Sequence, residues 1–120
     1  MDFDKDLSAR QEARLLCRQA QQAQRQLRTM SQSKLDAITE TIAKAFSAAS
    51  AELANLAVQE TGFGNAEDKM AKNQFASQTV LQAIQDMKTV GILRKIPEEK
   101  LWEVGVPVGA MNQDYKRLIL

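Results

Sequence analysis

The chain has 120 residues, of which 44% are hydrophobic and 26% charged, with a formal net charge of +1. That is the balance of a globular domain with a real core, and it creates no strong field favouring nucleic acid or an anionic membrane. There is no histidine and one cysteine, which excludes Ser-His and Cys-His catalysis and an internal disulfide within this chain and removes the commonest zinc ligand.

A single cysteine fits a reducing cytoplasm. No apolar run is long enough to span a bilayer. The opening stretch MDFDKDLSAR is acidic and lacks the apolar core of a secretory leader. The expected location is therefore cytoplasmic, with no membrane and no nucleic-acid partner.

In chain order, the stretch from Leu7 to about Met30 is built of Ala, Arg, Gln and Leu, which are strong helix formers. Its apolar positions Ala13, Leu16, Ala20, Ala23, Leu27 and Met30 follow the spacing of one helical stripe. The stripe is narrow and rich in alanine, so this helix buries little area and needs a partner. Ser33 is placed to cap a second helix, with Asp36 completing a weak capping box. Leu35, Ile38, Ile42, Ala45, Phe46 and Ala49 then line one face. The joint SAAS (47–50) precedes a third helix, capped by Ser50, that directs Leu53, Leu56 and Ala57 inward. Gly62 stands where a left-handed residue ends a helix. Asn65 caps a fourth helix, whose first turn holds Glu67 and Asp68, as the helix dipole favours. The expected inner face of this helix is Met70, Ala76, Val80, Ile84 and Met87, with Phe75 and Leu81 beside it.

At Gly91 the period changes. ILRKI (92–96) and LWEVGV (101–106) are short and β-prone, and in the second stretch Trp102, Val104 and Val106 alternate with Leu101, Glu103 and Gly105. A hairpin follows, with Pro97 expected at the first central turn position. Two strands alone are marginal in water, so association or partial disorder is expected, especially after Gly91. The fold class read from these elements is mostly α: about four helices followed by a short β-hairpin.

The pair of glycines in GFG (62–64) raises the possibility of a phosphate cradle. A dinucleotide loop needs G-x-G-x-x-G between a strand and a helix. Here a helix precedes the pair, the third glycine's position is Glu67, and Glu67 and Asp68 repel an anion. The reading favoured is a cap-to-cap joint. Arg10, Arg14, Arg18, Arg25 and Arg28 read as a solvated face rather than a phosphate stripe. Cys17 reads as a small buried or half-buried residue, and Trp102 as core or interface. No carboxylate pair suggests acid–base work. The residues thus yield no catalytic, cofactor-binding or metal site.

The phrase LANLAVQETGFGNAEDKMAKNQFAS (53–77) resembles the N-terminal region of coenzyme-A-acylating aldehyde dehydrogenases, including acetaldehyde dehydrogenases and the aldehyde half of bifunctional aldehyde–alcohol dehydrogenases. Members carry E-[TS]-G-x-G-x-x-E-D-K-x-x-K-N-x-F-A-[ST]. It is matched by Glu60, Thr61, Gly62, Gly64, Glu67, Asp68, Lys69, Lys72, Asn73, Phe75, Ala76 and Ser77. KTVGIL (88–93) is similar to the family's exit from its last helix. VPVG (106–109) is similar to the E-P-[VI]-G at the entry to its cofactor domain, with Val106 in place of Glu. The resemblance covers roughly 10–109. The tail 110–120, AMNQDYKRLIL, shows neither the strand nor the P-[ST]-T-N-P loop that follows in the family.

The resemblance implies a fragment of the α/β aldehyde dehydrogenase fold, truncated after about residue 109. Its parts would be a helical segment at 1–90, strands entering the cofactor and oligomerisation region at 91–109, and a non-family tail at 110–120. It implies a parent reaction in which a short aldehyde, coenzyme A and NAD give acyl-CoA and NADH. The catalytic cysteine and most of the cofactor fold lie outside this chain, so Cys17 inherits no role. The chain is expected to be inactive and to hold neither NAD nor coenzyme A itself. Self-association, or docking with full-length dehydrogenase subunits, is the expected partnership. The alternative is a helical interaction module that docks onto enzyme subunits or an enzyme-containing shell.

Overall fold

A computed structural model describes residues 4–109; the tail expected at 110–120 lies outside the described residues. The elements are α1 (Lys5–Leu27), α2 (Gln32–Ala48), α3 (Ser50–Thr61), α4 (Ala66–Gln74), a π turn (Phe75–Thr79), α5 (Val80–Ile84), β1 (Gly91–Ile96) and β2 (Leu101–Gly105). Because α4, the π turn and α5 are continuous, the four expected helices and the hairpin are all present. The chain divides into two compact units, one containing α1 and the hairpin, the other spanning Ser31–Thr89.

In the first unit, α1 begins at Asp4, whose carboxylate accepts the Asp6 amide at 3.4 Å. No residue of α1 is buried. Ala13 is half-buried, but Leu16 and Leu27 are exposed. The hairpin pairs Ile96 with Leu101, Lys95 with Trp102 and Arg94 with Glu103, then slips at Leu93 so that Ile92 meets Val104. That slip is a bulge, which adds one residue to β1. Pro97 opens the turn rather than occupying its first central position: its carbonyl accepts the Lys100 amide at 3.1 Å. Lys100 closes the turn with φ at 53°. Paired residues share a face of the ribbon. Arg94 grips Glu103 with two bonds of 3.1 and 2.6 Å, and the Lys95 ammonium lies 4.4 Å from the centre of the Trp102 ring.

In the second unit, the N-cap of α2 is Ser31, not Ser33. Its hydroxyl accepts the Lys34 amide at 3.4 Å, while the Ser33 hydroxyl lies 3.1 Å from that of Ser31. Asp36, the expected box partner, instead accepts a bond from Gln32 Nε2 at 2.8 Å. The joint at 47–50 holds, but Ala49 is the cap of α3 and makes no side-chain bond, and Ser50 is the first helical residue, buried. Gln32 also ties the two ends of the unit together. Its amide oxygen accepts the Thr89 amide at 2.8 Å, and its Nε2 donates to the Thr89 hydroxyl at 3.1 Å.

The interior differs from the expected apolar faces. The buried residues are Ala54, Ser50, Asn73 and Ser77. Met70 and Leu81 are half-buried, so the inward line of the long helix runs Met70, Asn73, Ser77 and Leu81, steps of three, four and four residues. Ala76, Val80, Ile84 and Met87, expected inside, are exposed, as are Ile42 and Phe46 of α2 and Leu56 of α3. The reason is steric and polar together. Small side chains let α3 and α4 approach closely, and the Asn73 and Ser77 side chains each bring a hydrogen bond. Asn73 Nδ2 donates to the Ser50 carbonyl at 3.2 Å, and the Ser77 hydroxyl to the Asn73 carbonyl at 2.8 Å. The second bond falls beside the π turn, where the Val80 amide reaches back to the Phe75 carbonyl. It gives a buried carbonyl a partner where the ladder shifts by one residue.

Candidate functional site

The Gly62–Asn65 turn is the first place to look for a ligand, and two of its amides, those of Gly62 and Phe63, are bonded within the chain. Gly62 has a φ of 68°, the left-handed value that only glycine reaches without strain, and its amide donates to the Val58 carbonyl at 2.8 Å. The Phe63 amide donates to the Thr61 hydroxyl at 3.2 Å. Asn65 Oδ1 accepts the Asp68 amide at 2.8 Å, and Asn65 Nδ2 returns a bond to the Asp68 carboxylate at 2.6 Å. The Gly62, Phe63 and Asp68 amides are thus taken by the protein, and two carboxylates, Glu67 and Asp68, stand in the first turn of α4, where they repel an anion. The cap-to-cap joint is the structure observed. Lys69 folds its stem over Gly64, where an added Cβ would meet Lys69 Cε at 3.3 Å.

The four arginines of α1 and its C-cap Arg28 are all exposed, and Arg10 pairs with Asp6 at 3.2 Å. They form the solvated face expected. Cys17 was expected to be buried or half-buried; it is exposed, because α1 buries no residue at all. Trp102 is 60% exposed, with Lys95 stacked over it, and it is not part of a core. Among the described residues no group of three or more Cys, Asp or Glu is placed to hold a metal ion. No described helix is long and apolar enough to cross a membrane.

What the second unit does present is a pair of adjoining grooves beside α2. One, of about 240 Å³, is lined by Ile42, Ala43, Phe46, Ala76, Val80 and Ile84. The other, of about 610 Å³, has Leu35, Leu81, Ile84 and Met87 as its apolar walls and Asp36, Glu40 and Asp86 as its acids. Glu40 is paired with Lys44 at 2.6 Å. The hydrogen bond from Lys44, and next its charge, hold the Glu40 carboxyl below its ordinary range. The smaller groove lies where the π turn at Phe75–Thr79 shifts the phase of the long helix, so that Val80 and Ile84 stand exposed beside Ile42 and Phe46. Periodicity missed this because it sends apolar residues inside. Asn73, Ser77, Val80 and Ile84 also have the spacing of one helix face, and the π turn that separates them carries no periodic signal.

Neither the grooves nor the joint contains a nucleophile with a base, so the chemistry of the site does not by itself define a reaction. No protein-family model matches the chain. Over 98 residues the chain is 35% identical to the bifunctional aldehyde-alcohol dehydrogenase AdhE of Escherichia coli K12, a match covering 82% of this chain and 11% of that one. The crystal structure of an acetylating aldehyde dehydrogenase from Geobacillus thermoglucosidasius superposes with a TM-score of 0.74 at 46% identity, covering 84% of this chain and 22% of that one. A probable aldehyde dehydrogenase from Listeria monocytogenes gives the same TM-score of 0.74 at 47% identity, over 85% of this chain and 22% of its own. The chain therefore spans only about a tenth to a fifth of the proteins it matches. With these homologues 35–47% identical over most of its length, the chain belongs, as the counterpart of one segment, to the acetylating aldehyde dehydrogenase family.

Proposed function

We propose that this chain is the helical and hairpin portion of an NAD-dependent, coenzyme-A-acylating aldehyde dehydrogenase of the cytoplasm, and that this portion alone performs no turnover. The parent reaction would take a short aldehyde, coenzyme A and NAD to acyl-CoA and NADH. The observation that carries the reading is the 35% identity over 98 residues to an aldehyde-alcohol dehydrogenase of which the chain spans 11%. The described residues do not fit the parent's dinucleotide: the glycine turn follows a helix rather than a strand, and two carboxylates stand in the first turn of the helix it precedes. On this reading the segment's contribution is structural, a set of helices and a strand pair that meet the remainder of the enzyme or a neighbouring subunit.

The test is NADH formation by the pure 120-residue protein with acetaldehyde, coenzyme A and NAD, beside a full-length homologue as positive control. The expected result is no NADH above the blank. Robust NADH formation would overturn the reading.

The grooves beside α2 support a second reading, in which the chain is an interaction module for dehydrogenase subunits. Contiguous exposed apolar surface of this kind marks a surface that meets another. Sedimentation of the chain alone and mixed with a full-length homologue tests it. Association in either sample supports docking, and a clean monomer in both rejects it.

A further inference from the structure

We draw no further inference here: the strongest candidate, the apolar groove beside α2 lined by Ile42, Phe46, Val80 and Ile84, carries nothing because nothing in the structure shows what covers it.

Discussion

Replacing Asn73 with alanine tests the polar interior directly. Asn73 is 7% exposed, and its Nδ2 donates to the carbonyl of Ser50, itself 3% exposed. Ser50 is the first residue of α3, so the helical ladder offers its carbonyl one partner and Asn73 supplies another. Alanine removes that bond and leaves part of a buried acceptor uncompensated, a loss of about 1–3 kcal/mol. A loss of about 2 kcal/mol shifts the folded-to-unfolded ratio by about 30-fold. Asn73→Asp would cost more than alanine, since it sets an acceptor against an acceptor. The assay is urea unfolding of the 120-residue protein followed by far-UV circular dichroism. Gln59→Ala, at an exposed position of α3, serves as the control and leaves the midpoint unchanged or slightly raised. If Asn73→Ala unfolds at the same midpoint as Gln59→Ala, the bond to Ser50 does not hold α3 to α4 and the reasoning fails.

Three further changes probe the joint and the surface. Gly62→Ala meets no atom within 4 Å, so its whole cost is the left-handed backbone, about 1 kcal/mol, and Gly62→Asn costs less; equal midpoints for alanine and asparagine would contradict this. Asn65→Ala removes the cap of α4 and loses about 1 kcal/mol, seen as faster amide exchange over 66–69, and unchanged exchange would show that the cap is not stabilising. The Glu40 carboxyl is lowered by Lys44, so the pair contributes above the unfolded carboxyl's titration and is lost as pH falls through the folded value. In an NMR titration, Lys44→Ala moves the Glu40 midpoint upward, and an unmoved midpoint would exclude Lys44 as the cause.

Much of the architecture is legible in local chemistry. Gly62 and Asn65 announce a stop and a start because both act on the backbone within a few residues, and the hairpin follows from alternation around Pro97. What escaped was long-range. Ser31 takes the cap expected of Ser33 because Gln32, one position on, is held by Thr89 at the far end of the unit. Val80 and Ile84, seven and eleven residues after Asn73, would share its face in an unbroken α-helix, and the π turn at Phe75–Thr79 shifts them off it. A periodicity argument weighs side chains by hydropathy and has no way to credit a carbonyl on another helix. The family phrase is legible for a different reason: Gly62, Asn65, Asn73 and Ser77 within it each make a backbone or capping contact in the helix joint.

Geometry and burial energy reside in different residues here. Hydrophobic stabilisation grows with apolar area removed from water, about 25 cal/mol per Å². Yet the large apolar side chains Ile42, Phe46, Leu56, Ile84 and Trp102 are exposed, while Ala54 and three polar residues fill the interior. Those small residues add little area. They decide how closely α3 and α4 meet and in what register. The phrase from Glu60 to Ser77, which ties the chain to the dehydrogenases, therefore specifies a helix joint. Gly62 ends α3, the Asp68 amide is held by the cap of α4, and Asn73 and Ser77 fix the contact line. Such a joint sets the angle at which α3 meets α4, and with it the direction in which the exposed Ile42, Phe46 and Ile84 face.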